Sequence, residues 1–148
     1  MDFHPDGSRL AIGSVAGVFL VVDVEAARKG DSEVLATVPL RSGTSSVIRI
    51  EYASGGAELI TAGLQPELGV WDADTFELKY SITMPVASAG APLSPSGREV
   101  LSSVGEAGTV VYTLDVDRLV GIARERLTRT LTDSECRRFL HLEACPPG

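Results

Sequence analysis

The chain lacks any stretch approaching the roughly 20 uninterrupted apolar residues that a membrane-spanning helix requires. Its start, Met1-Asp2-Phe3-His4-Pro5-Asp6-Gly7, has neither the basic nor the apolar segment of a secretory leader. These absences make a cytoplasmic setting and no membrane partner the expectation. Positive charge is also scarce, with 13 Lys and Arg against 20 Asp and Glu. Residues 1–116 carry 7 basic and 15 acidic groups, whereas residues 117–148 carry 6 and 5. A phosphate backbone is bound by clustered Lys and Arg, so the acidic main body argues against nucleic acid as a partner. The tail arginines alternate with acids, as at Arg124-Glu125-Arg126, which reads as a solvated helix face.

Groups for catalysis or metal binding are few. The only cysteines are Cys136 and Cys145, and the only histidines are His4 and His141. Cys136, His141 and Cys145 have the form C-x4-H-x3-C, but a structural zinc site takes four ligands, so no metal is expected. In a reducing compartment the two cysteines are expected as thiols, Cys136 packed in a helix and Cys145 near the terminus. No G-x-x-x-x-G-K-[ST] phosphate loop is present. Gly13-Ser14-Val15-Ala16-Gly17 places its serine one position early for a G-x-S-x-G elbow and reads as strand plus turn. Asp72 and Asp74 suggest a carboxylate pair, but their position at a strand end favours turn chemistry. Trp71 invites a role as a binding anchor, yet its repeat position, shared with the bulky Val22 and Tyr112, favours core packing. No catalytic, cofactor-binding or metal-binding residue is therefore assigned, and no cofactor is expected.

What the chain does contain is 44% apolar residues over 148 positions, enough to bury roughly 70% of the unfolded surface in a whole folding unit. It also contains an internal repeat. Phe3-His4-Pro5-Asp6-Gly7-Ser8-Arg9-Leu10-Ala11-Ile12 aligns with Tyr52-Ala53-Ser54-Gly55-Gly56-Ala57-Glu58-Leu59-Ile60-Thr61 and with Leu93-Ser94-Pro95-Ser96-Gly97-Arg98-Glu99-Val100-Leu101. Gly7 to Val22, Gly56 to Trp71 and Gly97 to Tyr112 are each 15 positions apart. The glycine-bearing turns permit the positive backbone dihedral of a tight reversal and precede short apolar runs. Second turns around Gly17, Gly69 and Gly108 lead into third strands, and Val34–Val38 and Leu78–Ile82 supply fourth strands. Glu25 to Ser32, a polar stretch between the first two units, reads as an extended loop. Four strands per 40–45 residues is the arithmetic of a propeller blade.

The turn phrase Phe3-His4-Pro5-Asp6-Gly7-Ser8 and the ending Val70-Trp71-Asp72 resemble the repeat of WD40-repeat β-propellers over roughly residues 1–115. The repeats are degenerate: the resemblance implies a His, Ser, Trp and Asp hydrogen-bonded set per blade, but no unit has the Gly-His pair and only Trp71-Asp72 keeps the full dipeptide. The expected fold is mainly β, a partial propeller of about three four-stranded antiparallel blades over 1–115, followed by a helical extension over 116–148. Three units cannot close a ring of about 4–8 blades. The chain begins within a strand, so it is expected to be the C-terminal portion of a larger protein whose missing upstream blades complete the ring, or else to complete it with other chains.

In the extension, Val116, Leu119, Val120, Ala123 and Leu127 form one apolar stripe at helical spacing, which needs a surface to lie on. Thr132-Asp133-Ser134-Glu135 has the capping-box form and predicts a second short helix, which Pro146-Pro147-Gly148 cannot continue. The run Leu127 to Thr132, with Glu135-Cys136-Arg137-Arg138 and Ala144-Cys145-Pro146, is similar to the ending of many bacterial multidomain proteins in which a nucleotide-binding signalling module of the STAND type precedes a WD-repeat propeller. Together these resemblances imply a non-enzymatic protein-interaction scaffold with partners of unknown identity and the helical pair packed on the propeller. The alternative is the C-terminal sensor portion of a larger bacterial signalling ATPase or regulator whose catalytic domains lie outside this chain.

Overall fold

The computed structural model describes residues 1–31, 33–40, 46–84, 91–94, 96–103 and 108–145. Ser32, Pro95 and Pro146-Pro147-Gly148, which figure above in a loop, a turn and a helix stop, lie outside the described residues. The chain divides into two units, Met1–Leu114 and Asp115–Gly148.

The first unit is mainly β, with three antiparallel sheets. β1 (Asp2–Phe3), β2 (Arg9–Gly13), β3 (Val18–Asp23) and β4 (Val34–Pro39) form the first sheet in chain order. A short helix α1 (Val24–Arg28) follows β3. β5 (Val47–Ala53), β6 (Glu58–Gly63), β7 (Glu67–Asp72) and β8 (Leu78–Thr83) form the second sheet, again in chain order. The third sheet is smaller than expected: among the described residues it has only β9 (Glu99–Ser103) and β10 (Thr109–Thr113), plus an isolated bridge from Leu93 to Val100. Here β10 runs into Leu114 and then into a helix capped by Asp115, so no fourth strand follows it. Chain-order meanders follow from short turns. Gly7, Gly56 and Gly97 all hold positive φ, at 76°, 102° and 68°, and lead into β2, β6 and β9 respectively.

Register decides what each face buries. Ala11 pairs with Val21, which pairs with Ala36, while Phe19 pairs with Val38. These five point to the second sheet, whose facing side presents Ile50, Leu59 and Trp71. The opposite side of the second sheet presents Ala53, Ile60, Leu68 and Val70, which join Val100 and Leu114 beyond it, with Leu93 and Tyr112 packed against them. The second sheet is thus buried on both faces, as its near-continuous apolar runs Glu58–Gly63 and Glu67–Asp72 require. Face-to-face stacking of three sheets is shown; the sheets do not close.

Two local expectations are overturned. The stretch from Glu25 is not simply an extended loop, because the Asp23 carboxylate accepts the Ala26 N–H at 2.7 Å and starts α1. Nor does Gly69 form a turn. It lies in mid-strand in β7, opposite Thr61, with the reversal at residues 64–66. A Cβ at Gly69 would stand 2.7 Å from Trp71 Nε1 and 2.8 Å from Thr61 Oγ1, so the missing side chain is the space in which the indole lies.

The second unit contains α2 (Val116–Arg126), with the Asp115 carboxylate accepting from the Arg118 N–H, and α3 (Asp133–Glu135). No residue of α2 is buried. The capping box forms as its sequence predicts, with the Thr132 side chain accepting from the Glu135 backbone and the Glu135 carboxylate accepting from the Thr132 N–H. Arg129 grips the same carboxylate with two hydrogen bonds of 2.8 and 2.7 Å. A wide helical turn over Cys136–Leu140 ends at His141, whose φ of 56° reverses the chain. The reversal brings the Cα atoms of Cys136 and Cys145 within 5.5 Å, and the two are joined by a disulfide in place of the expected free thiols. Among the described residues no helix is long and apolar enough to cross a membrane.

Candidate interaction surface

The three repeat turns gather at one end of the first unit. Pro5 from the first, Ser54, Gly55 and Gly56 from the second, and Ser96 and Gly97 from the third border a cleft of about 530 Å³. Their convergence follows from the register: the first two turns join β1 to β2 and β5 to β6, the third leads into β9, and sheets stacked face to face bring these equivalent turns side by side. Asp2, Arg49, Glu51 and Tyr52 line the same cleft.

The ionisable groups here are engaged in structure. Arg49 pairs with Glu51 on its own strand. One carboxylate oxygen of Asp2 accepts the Tyr52 backbone N–H at 2.8 Å, tying β1 of the first sheet to β5 of the second. The Tyr52 hydroxyl is buried without a partner among the described residues, and burial raises its pKa. His4 lies edge-on to the Tyr52 ring with centroids 5.0 Å apart, and its Nδ1 is 2.6 Å from Asp6 Oδ1. Asp6 is held well below the usual carboxylate range, first by the Ser8 hydroxyl and then by the Ser8 N–H.

Near this group, Arg9 Nη1 donates to the Ala73 carbonyl at 2.6 Å and to Asp74 Oδ1 at 3.0 Å. The neighbouring Asp72 carboxylate accepts the Thr75 and Asp74 N–H groups, which lower its pKa. Asp72 and Asp74 therefore do different work, one shaping a turn and the other meeting Arg9, and they do not face each other as an acid–base pair.

Trp71 is only 5% exposed. Its indole N–H donates to Thr61 Oγ1 at 2.8 Å, and its ring meets Phe19 edge-on with centroids 5.2 Å apart. A cavity of about 40 Å³ adjoins it, lined also by Leu40, Ser46, Gln65 and Leu78. The Ser46 hydroxyl is buried there without a partner among the described residues. A space of this size suits a water molecule better than a ligand.

A second surface was not singled out from the sequence. The first sheet's outer face presents Phe3, Leu10, Ile12, Leu20, Val22 and Val34 in one set, fixed by the pairs Phe3–Leu10, Leu10–Val22, Ile12–Leu20 and Val22–Val34. Phe3 is 56% and Val34 48% exposed, and none of the six joins either core cluster. Solvated faces of antiparallel sheets normally alternate to polar side chains. Period-2 counting could have found it, because Leu10-Ala11-Ile12 and Val18-Phe19-Leu20-Val21-Val22 have no polar phase. No protein-family model and no curated protein matches the chain.

Proposed function

We propose that the chain is a three-sheet portion of a WD-repeat β-propeller and acts as a non-enzymatic scaffold that binds protein partners through its turn cluster. The observation that carries the reading is the convergence of three equivalent turns on one polar cleft. In stacked repeats, turns gathered on one face make an extended binding surface carried by a rigid core. The Trp71 to Thr61 hydrogen bond supports the propeller reading, since Trp71 is a member of the polar set that the resemblance implies and Thr61 offers it a hydroxyl as the serine of that set would. The engagement of Asp2, Arg49 and Glu51 in structural contacts supports a binding role over catalysis.

Site-specific photo-crosslinking tests this. A photoreactive residue replacing the exposed Pro5 is expected to form adducts with another polypeptide in the cells that make the protein, and one replacing the exposed Glu33 far fewer. Equal capture at both positions, or none at Pro5, would reject the turn cluster as a protein-binding surface.

A further inference from the structure

The second unit buries almost nothing. Cys136 is its one buried residue among those described, and α2 buries none. The chain after α2 therefore depends on local ties, and these fall into two sets. Residues 129–135 stand on the capping box and on the two hydrogen bonds from Arg129 to the Glu135 carboxylate. Residues 136–145 form a loop closed by the Cys136–Cys145 disulfide.

Besides the disulfide, this loop is held weakly. The Leu142 N–H donates to the Cys136 carbonyl at 3.3 Å, the Cys145 N–H to Asp133 Oδ1 at 3.2 Å, and Arg137 Nη1 to the Glu143 carbonyl at 3.2 Å. All three are at or past the long end for an N–H donor, and the two that use side chains are exposed to competing water. The loop must also keep His141 at a φ of 56°, a left-handed conformation that is costly for a residue with a side chain. The cross-link offsets that cost by removing open conformations of the chain between the cysteines. Its two sulfurs differ in access, since Cys136 is fully buried and Cys145 is partly exposed. Disulfides that thiols can reach are the labile ones, whereas those sealed in a core resist exchange.

We infer that the Cys136–Cys145 bond is a redox clasp: formed, it fixes the loop over residues 136–145, and opened by a small thiol reductant it releases that loop while the capped turn at 129–135 stays in place. In the opening step a thiolate of the reductant attacks the accessible Cys145 Sγ. The sulfur–sulfur bond breaks, and its electron pair leaves on Cys136 Sγ, which takes up a proton. A second reductant thiolate then attacks the reductant sulfur of the mixed disulfide and expels the Cys145 thiolate, which is protonated in turn. The protein ends with two thiols and the reductant ends as its own disulfide, and closing runs the same exchange backwards. The Cys145 thiol then has the Leu131 carbonyl 3.2 Å from its sulfur, but an S–H group is a weak donor and does not replace a covalent bond.

The full chain, equilibrated without denaturant in mixtures of reduced and oxidised glutathione, tests this, with thiols counted by alkylation and mass and amide exchange followed by NMR. Millimolar reduced glutathione is expected to open the bond. The Leu142 and Cys145 amides should then exchange on the order of 10–100-fold faster. The Thr132 amide, bonded to the Glu135 carboxylate, and the Leu119 amide, bonded to the Asp115 carbonyl in α2, are expected to change far less. Oxidised glutathione should restore slow exchange. Cys145→Ser is expected to show fast Leu142 exchange in every mixture, and reduced protein blocked with iodoacetamide gives the same reading should that variant not fold. A bond left intact by millimolar glutathione would be a permanent staple and would overturn the inference. So would thiols that stay free in oxidised glutathione, Leu142 exchange that is unchanged after opening, or equal acceleration at Leu119 and Thr132, which would make the bond a support of the whole unit.

Discussion

Trp71 is positioned by what surrounds it on three sides: Phe19 against its ring edge, Thr61 accepting its N–H, and the bare Cα of Gly69 beneath it. A buried indole N–H has no other use for its proton here, so Thr61→Val leaves it unpaired, at a cost of about 1–3 kcal/mol. Thr61→Ser keeps the oxygen and is expected to recover most of that loss. Gly69→Ala puts a methyl group into the space of the indole and is expected to cost about 1–3 kcal/mol through forced repacking. Urea denaturation followed by the fluorescence of Trp71, the single tryptophan, measures all three. Full stability for Gly69→Ala would mean that the ring does not need the space the glycine leaves. That position also shows a limit of sequence reading: glycine signals a turn and a close approach with the same letter, and only the cross-strand partner of Gly69 separates them.

Short elements depend on single side chains at their ends. The five-residue α1 is too short to persist by hydrogen bonding alone, so Asp23 capping the Ala26 N–H is its main local support. Asp23→Ala is expected to cost about 1 kcal/mol, read as faster exchange of the Ala26 amide. In the other unit Glu135 carries a clear pH signature. Arg129 first, and the Thr132 backbone next, lower its pKa from 4.5 to about 2. A carboxylate with a depressed folded-state pKa contributes stability in full above its unfolded value, and that contribution is lost as pH falls through the folded one. The motif around residues 129–135 is therefore expected to hold at pH 5 and above and to loosen between about 4.5 and 2, with the Glu135 carboxylate resonance titrating near 2. Arg129→Gln should move that midpoint upward; an unmoved midpoint would assign the shift to the cap alone. The capping box was legible because four adjacent letters encode it. The strands were legible because turn glycines and apolar runs are local too. The disulfide was not, since it depends on His141 reversing the chain between Cys136 and Cys145, and α1, at five residues, is too short to show a helical period after its Asp23 cap.

In the first unit the first sheet packs on the second through one apolar seam, and the second on the third through another. The outer face of the first sheet escaped the sequence reading because a residue's letter does not say which side of a sheet is covered; only the order of stacking shows that, among the described residues, Leu20 joins neither core cluster. The second sheet, covered on both sides, is expected to exchange its β6 and β7 amides most slowly, and the third sheet, with two strands among the described residues, to exchange faster. Phe19→Ala opens the first seam and is expected to cost about 3–5 kcal/mol as a buried aromatic truncation. In an array coupled through nearest neighbours that loss falls on the two sheets sharing the seam. Exchange should accelerate in β2, β3, β6 and β7 and least in β9 and β10. Val100→Ala at the second seam should give the mirror pattern, accelerating β6, β7, β9 and β10 while sparing β2 and β3. If either variant instead speeds exchange equally in all three sheets, the unit unfolds as one indivisible core and its two seams are not separate nearest-neighbour contacts.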